Sequence, residues 1–158
     1  METTKQVSVF LENKPGRLAN VLLALAREKV NVVALSIMDS HEHSVLRLVV
    51  NDVARTIQVL DGLNAQHAEV EVVVVDLRNQ PGALARVCEQ LASEHINIDY
   101  AYCSSGGRNG KVVGIFKVSN SEKALRVLRS PAVNNNRRVE ARLPRKKINA
   151  QAKIARPV

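Results

Sequence analysis

The spacing of hydrophobic residues changes several times along the chain, and these changes predict a mixture of strands and helices. Residues 5–11 (KQVSVFL) alternate polar and apolar side chains, which is typical of a half-buried strand. Over residues 17–29 apolar side chains recur every three or four positions, which predicts an amphipathic helix. Residues 32–38 and 44–51 are rich in β-branched residues and predict two further strands. Asp52 is then placed to cap a second helix, whose buried face is predicted to carry Val53, Ile57, Leu60 and Leu63.

The second half of the chain repeats this order of elements. Residues 13–32 recur at 79–98, an offset of 79 − 13 = 66, and about half of the aligned residues are identical. Asn120 or Ser121 is expected to cap the last helix. The remaining predicted elements are strands at 71–77, 96–103 and 112–118, helices around 84–92 and 122–128, and short last strands at 65–69 and 137–142. The predicted buried face of the first of these helices comprises Leu84, Val87, Leu91 and Ala92.

Two copies in the order β-α-β-β-α, each with a short last strand, define the predicted fold. We expect an α+β protein of two ferredoxin-like βαββαβ modules, with antiparallel sheets and the helices on one face. The predicted modules span residues 1–69 and 70–142, and residues 143–158 form a basic, flexible C-terminal tail. Because strands such as VVVV (72–75) are apolar on nearly every position, we expect burial on both faces. The second face would meet another sheet, from the partner copy or from a second chain, and a homodimer is expected.

Charge is concentrated at the C-terminal end. The formal net charge is +8, but residues 137–158 hold eight basic residues and one acid and therefore carry +7. A nearly neutral body argues against a broad nucleic-acid-binding face. A solvated tail is favoured over a nucleic-acid-binding arm. No signal segment and no apolar run of about 18 residues is present, so a cytoplasmic protein without a membrane anchor is predicted.

The repeated turn Asn-x-Pro-Gly-x-Leu-Ala is the candidate for chemistry. It lies between the first strand and the first helix of each copy, so that the first N–H groups of the helix, at residues 16–18 and 82–84, have no intrahelical acceptor. Such a helix start suits a ligand carboxylate, and the amides of Asn13 and Asn79 suit a helix cap or an ammonium group. An efficient strand-to-helix turn without a ligand fits the same residues.

Other candidate chemistries are rejected. Cys88 and Cys103 lack metal or disulfide spacing and are predicted to be small buried apolar residues. The four histidines, His41, His43, His67 and His95, do not make up a metal-ligand set. The glycine-rich residues 104–110 lack the Gly-Lys-Ser/Thr ending of a phosphate-binding loop. We therefore expect no metal, no cofactor and no catalytic site, and the chain is not predicted to be an enzyme.

The segment VSVFLENKPGRLANVLLALAREKVNVVALSI (7–37) resembles the ACT domain, a small-molecule-sensing module of amino-acid metabolism. The resemblance extends over residues 5 to about 142, twice over, and is greatest to stand-alone bacterial proteins with tandem ACT domains. It implies an amino-acid ligand at an interface between modules, where the turn of one module lies against the second strand of a neighbour. One implied half-site comprises Asn13, Pro15, Gly16, Arg17, Leu18 and Asn31. The other comprises Asn79, Pro81, Gly82, Ala83, Leu84 and Asn97.

The leading functional hypothesis is a non-catalytic regulatory protein that binds a small amino acid or a related metabolite. One alternative is a structural or regulatory subunit that assembles with a biosynthetic enzyme, such as acetolactate synthase, without a ligand. Another is a nucleic-acid-associated regulator that acts through the basic tail. The two copies differ where specificity would arise, since Arg17 aligns with Ala83 and Ala34 aligns with Tyr100. Unequal binding by the two copies is therefore expected.

Overall fold

The computed structural model describes residues 1–38, 43–107 and 111–130. Their first half contains β1 (Glu2–Glu12), α1 (Arg17–Arg27), β2 (Val32–Met38), β3 (His43–Val50) and α2 (Val53–Gly62). Their second half contains β4 (His67–Arg78), α3 (Ala83–Ser93), β5 (Ile98–Gly107), β6 (Lys111–Val118) and α4 (Ser121–Arg129). The two halves, called copy 1 and copy 2 below, share one order of elements, as predicted from the repeat.

Side-chain caps begin the second helix of each copy. The Asp52 carboxylate accepts a hydrogen bond of 2.9 Å from the Arg55 N–H, and the Asn120 side-chain oxygen accepts one of 2.8 Å from the Lys123 N–H. Each bond satisfies an N–H group that the helix itself cannot pair. The predicted caps are confirmed, with Asn120 rather than Ser121 at the cap position of α4.

Within the described residues, one antiparallel sheet of six strands, in the order β2-β3-β1-β4-β6-β5, contains both copies. The copies are joined by pairing of β1 with β4, in a register that sets Glu2 opposite Val74 and Val9 opposite His67. The prediction of separate strands at 65–69 and 71–77 is wrong, because β4 runs as a single strand through both. Its sequence, HAEVEVVVVDLR, has no glycine, proline or asparagine that would interrupt a strand. The strand crosses the predicted module boundary at residues 69–70.

The four helices of the described ranges lie on one face of this sheet. Thr3 lies directly opposite Val73 in the β1–β4 ladder, so the odd-numbered residues of both strands point to the same side. On that side, α1 and α2 cover a core that comprises Val7, Val9, Leu11, Val21, Leu25, Val30, Leu46, Leu48, Val50 and Leu60. Helices α3 and α4 cover the equivalent core of Val73, Val75, Leu77, Val87, Leu91, Ile96, Phe116, Val118, Ala124 and Leu128. The predicted fold class is confirmed.

The opposite face of the sheet is covered by the sheet itself. The outermost strands, β2 and β5, are five strand spacings apart, which in a flat sheet would be about 24 Å. Their Cα atoms nevertheless come within 8 Å of one another, so the sheet curls until the two halves face each other. We call this contact the seam. It buries Ala34, Val49, Val72 and Ile115, and it supplies the second buried face expected from the apolar strands, with the partner copy as the covering sheet.

A polar cluster occupies one side of the seam. Gln6 is fully buried there, donates a hydrogen bond of 2.9 Å to the Tyr100 hydroxyl and accepts one of 3.1 Å from the Tyr102 hydroxyl. The Arg47 guanidinium lies 4.2 Å from the centre of the Tyr100 ring, a cation–π contact. Burial is the main cause that raises the pKa of Tyr102, Tyr100 raises it further and Arg47 lowers it. The Tyr102 hydroxyl therefore stays protonated at neutral pH and can donate to Gln6.

Four side chains are more exposed than predicted. Leu63 follows the last residue of α2 and is 44% exposed, and Leu84 in the first turn of α3 is 43% exposed, because helix ends project beyond the core. Ala92, in the last turn of α3, is exposed for the same reason. Cys103 is exposed rather than buried, since β5 is an edge strand. The predicted strand at 137–142, the C-terminal tail and His41 lie outside the described residues, as does part of the predicted loop at 104–110.

Replacing Tyr102 by Phe tests the polar cluster. The Tyr102→Phe variant leaves the buried Gln6 oxygen without its donor, and we expect the free energy of unfolding in urea to fall by about 1–3 kcal/mol. The double variant Gln6→Val/Tyr102→Phe removes both partners and introduces the residue type that occupies the aligned position Val72. The free energy of unfolding that the double variant loses should be smaller than the sum of the losses in the single variants Gln6→Val and Tyr102→Phe. Additive losses would contradict energetic coupling between the two side chains.

Candidate functional site

The two Pro-Gly segments form the same tight turn. In copy 1 the turn spans residues 14–17, and the Arg17 N–H donates to the Lys14 carbonyl at 3.3 Å. Gly16 has φ 85° and ψ −16°, and Gly82 in copy 2 has φ 80° and ψ −6°. These angles, after a proline, are those of a type II turn, which requires a positive φ at its third residue. Glycine is needed at both positions because other residues rarely adopt this conformation.

The turn uses one of the N–H groups that were predicted to bind an anion at the helix start. The Arg17 N–H is already bonded to Lys14, and in copy 2 the Ala83 N–H donates to the Gln80 carbonyl at 3.2 Å. The first helical N–H of each copy is therefore occupied by the turn. Helix geometry leaves the next N–H groups, at Leu18 and Leu84, without intrahelical acceptors. Each helix start consequently offers fewer N–H donors than the sequence indicated.

Charges around the two turns differ. In copy 1 the Glu12 carboxylate accepts a hydrogen bond of 2.6 Å from Arg17 and lies 3.3 Å from the Lys14 ammonium. The bonds from Arg17 and Lys14 lower the pKa of Glu12, and all three groups are largely exposed. In copy 2 the residue aligned with Glu12 is Arg78, and the position of Arg17 is taken by Ala83. The turn of copy 1 thus pairs one acid with two basic side chains and keeps a net charge of +1, whereas the turn of copy 2 carries an arginine in place of the acid.

The asparagines before the second strands have structural partners. The Asn31 N–H donates to the Asn51 side-chain oxygen at 2.8 Å, and the Asn51 N–H donates back to the Asn31 carbonyl at 3.1 Å. In copy 2 the Asn97 N–H donates to the Ser119 hydroxyl at 3.1 Å. The Asn97 side-chain amide donates to the Asp99 carboxylate at 2.9 Å. These bonds close the ends of the β2–β3 and β5–β6 hairpins.

Within one copy, the turn and the asparagine lie at opposite ends of the strands. The turn of copy 1 follows Glu12, which is opposite His43 at the start of β3, whereas Asn31 bonds with Asn51 beyond the end of β3. The eight residues of β3 separate them by roughly 23 Å. Copy 2 has the same arrangement, because β6 begins opposite Arg78 and ends before Ser119. Each predicted half-site is therefore two separate pieces within its own copy.

Most residues of the predicted half-sites are accessible. Gly16, Gly82, Asn13, Asn79, Pro15, Pro81, Arg17 and Leu84 are exposed, Leu18 is half-buried, and Ala83 is buried against the core. An added Cβ at Gly16 would meet no atom within 4 Å, whereas one at Gly82 would lie 3.3 Å from the Arg86 guanidinium. The turn of copy 1 thus has open space beside it, and that of copy 2 is flanked by Arg86.

The comparisons with known proteins identify the family. A family model described as an ACT domain pair matches residues 2–138. The chain belongs to this family. It is also similar to the crystal structure of protein BT0572 from Bacteroides thetaiotaomicron, at 35% identity and a TM-score of 0.74, covering 80% of this chain and 86% of that one. A comparison with curated proteins finds no match.

Regulatory subunits of aspartate kinase share the fold of this ACT domain pair. The ligand-free subunit from Thermus thermophilus has a TM-score of 0.59 at 17% identity and covers 81% of this chain and 95% of its own. The subunit from Thermus flavus has a TM-score of 0.55 at 18% identity, with coverage of 80% and 93%. At these identities the likeness concerns the fold alone.

Metal-ligand groups and membrane-spanning helices are not found in the part of the ACT domain pair that the structure describes. Among the described residues, no group of three or more His, Cys, Asp or Glu side chains is placed to hold a metal ion. The imidazole of His67, for example, contacts the Ala65 carbonyl at 3.0 Å. No helix in the described ranges is long and apolar enough to cross a membrane.

Sequence reasoning missed the polar side of the seam. Arg47 gave a signal, since it is the only charged residue in the otherwise apolar run VLRLVV (45–50), whereas Gln6 lies in an alternating strand and gave none. Their importance depends on Tyr100, which is 94 positions from Gln6 in the chain.

Replacing the two turn glycines tests the left-handed turns. We expect Gly16→Ala to lower the free energy of unfolding by about 1–2 kcal/mol, because alanine is strained at positive φ although its Cβ has space. Gly82→Ala should lower the free energy of unfolding by at least as much, because its added Cβ would also lie 3.3 Å from the Arg86 guanidinium. Gly62→Ala is the matched control: Gly62 has no positive φ, its added Cβ meets nothing within 4 Å, and alanine favours the helix. A stabilising Gly16→Ala variant in urea unfolding would contradict the turn geometry.

Proposed function

We propose that this ACT domain pair is a non-catalytic regulatory protein that binds a small amino acid between modules of neighbouring chains. The observation that carries the proposal is the separation, by roughly 23 Å, of the turn and the asparagine within each copy. A ligand that uses both elements must bridge two modules. The ligand carboxylate would meet the helix start at Gly16 or Gly82. The ammonium would be held by carbonyl groups and by the asparagine side chains of the neighbour, Asn31 or Asn97.

The proposed assembly is a homodimer that pairs through β2. This strand has a free edge in the sheet of the described residues, and apolar side chains along it are exposed: Val33 by 39%, Leu35 by 37% and Ile37 by 47%. An apolar free edge favours pairing with a second chain. Antiparallel pairing of two β2 strands would extend the sheet and bury these side chains.

A panel of the twenty amino acids in a thermal-shift assay, followed by calorimetry of any ligand found, tests the binding proposal. We expect one or a few small amino acids to raise the melting temperature, and Gly16→Val to weaken their binding about tenfold or more by filling the space beside the turn. Gly82→Val is the paired variant that reveals which copy binds. If no amino acid binds, or if both valine variants bind the ligand normally, the proposed site is wrong.

Sedimentation velocity tests the proposed dimer. Ile37→Lys should shift the protein towards the monomer, because lysine on an edge strand opposes strand pairing. Ile37 is 47% exposed within one chain, so the melting temperature of the monomer should change little. Leu23→Lys is the control, since Leu23 on α1 is 57% exposed and lies outside the proposed interface. A dimer that survives Ile37→Lys, or dissociates equally with Leu23→Lys, would exclude this edge.

A second candidate function is a subunit that assembles with a biosynthetic enzyme. The fold likeness to regulatory subunits of aspartate kinase favours this candidate. Purification from native extract distinguishes the two functions, because a constitutive subunit should be recovered together with its enzyme. A nucleic-acid-associated role of residues 137–158 stays a prediction from the sequence. It requires salt-dependent binding that is lost when these residues are deleted.

A further inference from the structure

The curled face of copy 1 is organised in successive rows of side chains that cross β1, β3 and β2. The strand register places Gln6, Val49 and Ala34 in the first row, which is buried beneath copy 2. The second row is Ser8, Arg47 and Ser36. The third row is Phe10, Val45 and Met38. Residues two apart in a strand point to the same face, so the three rows are neighbours.

Arg47 is the only cation in these three rows, and it has no acidic partner. Its side chain is partly buried, its guanidinium stacks on the Tyr100 ring at 4.2 Å, and it makes no ion pair with any described residue. Charged groups that leave water are normally paired. Stacking on a ring uses the face of the guanidinium and leaves its in-plane N–H donors directed sideways. A planar anion such as a carboxylate is the complementary partner for these donors.

Hydroxyl groups lie beside Arg47 in the same row. Ser8 is only 7% exposed and accepts a hydrogen bond of 3.0 Å from the Gln6 amide, so its own hydrogen is available to a second acceptor. Ser36 lies on the other side of Arg47 in the register. The Tyr100 hydroxyl also accepts from Gln6 and keeps its hydrogen for donation. The second row and the adjoining Tyr100 therefore offer several hydrogen-bond donors and no carboxylate.

The third row adds an exposed apolar surface next to these donors. Phe10 is 41% exposed and Met38 is 51% exposed. Both lie on the same sheet face as the first row, which copy 2 buries. Copy 2 lacks this combination of an arginine and an adjoining exposed apolar surface. The residue aligned with Arg47 is Ile115, which is fully buried, and the residue aligned with Phe10 is Asp76, whose side chain is 58% exposed.

We propose that the second and third rows of copy 1 bind a small monocarboxylate with an aliphatic substituent. The carboxylate accepts hydrogen bonds from Arg47 and the neighbouring hydroxyls, and the aliphatic group packs on Phe10 and Met38. Tyr100 belongs to copy 2, so the ligand contacts both copies at the edge of the seam. The site uses neither Pro-Gly turn and is separate from the amino-acid site proposed above.

Titration of the full chain with isovalerate tests the proposal. Tyr100 and Tyr102 are the only tyrosines and the chain has no tryptophan, so intrinsic tyrosine fluorescence reports directly on the seam, with calorimetry as the second readout. We expect saturable binding of isovalerate. Isovaleramide, which has the same shape without the charge, and acetate, which lacks the aliphatic group, should each bind about tenfold more weakly or worse.

Four variants complete the test. Arg47→Gln should weaken isovalerate about tenfold or more, whereas Arg27→Gln, an equal loss of charge at an exposed position on α1, should not. Phe10→Ser should weaken isovalerate but leave acetate unchanged, and it decides the question if Arg47→Gln does not fold. Gly16→Val should leave isovalerate binding intact, which separates this site from the turn.

Several results would overturn the proposal. Equal affinity for isovalerate and isovaleramide would exclude a carboxylate site at Arg47. Equal loss in the Arg47→Gln and Arg27→Gln variants would reduce the effect to net charge. Absence of binding at millimolar isovalerate, or unchanged affinity in Phe10→Ser, would show that these rows do not form a ligand site.

Discussion

Antiparallel pairing between β1 and β4 joins the two copies into one sheet, and the remaining architecture depends on it. Each of these strands pairs on its other edge with a strand of its own copy, β3 or β6, so together they occupy the centre of six strands. Strand twist accumulates across a sheet of this width. The twist brings the outermost strands within 8 Å of each other and covers the face that the helices leave open. Without this pairing, fully buried residues such as Gln6 and Val72 would face water.

The seam that results is asymmetric although the copies descend from one pattern. Gln6 aligns with Val72, Tyr100 with Ala34, and Arg47 with Ile115, so each polar residue on one side corresponds to an apolar or small residue on the other. Apolar burial is non-directional and tolerates small shifts. The hydrogen bonds of Gln6 are directional and costly to leave unmade. The apolar side of the seam therefore contributes area, and the polar side fixes how the two halves are positioned relative to each other.

Local chemistry was readable from the sequence, whereas long-range contacts were not. The caps at Asp52 and Asn120 and the Pro-Gly turns involve residues within a few positions of each other, so spacing and residue type suffice to predict them. Gln6 lies in an alternating strand, where a polar residue reads as solvent-facing, and only Tyr100 and Tyr102 reveal that it is buried. The error at β4 has a different origin, because the repeat suggested a module boundary at residues 69–70 although residues 67–78 contain no residue that interrupts a strand.

The candidate amino-acid site is subject to the same geometric constraint. Strand length alone separates the turn of each copy from its asparagine, so no ligand of amino-acid size can touch both within one copy. A ligand that contacts both must depend on how two modules are placed, and by linkage it must favour the placement that it contacts best. Within one chain that placement is fixed by a continuous sheet and a buried seam. Any rearrangement that such a ligand produces is therefore expected between chains, where the contacts are the exposed edges of the sheet rather than its centre.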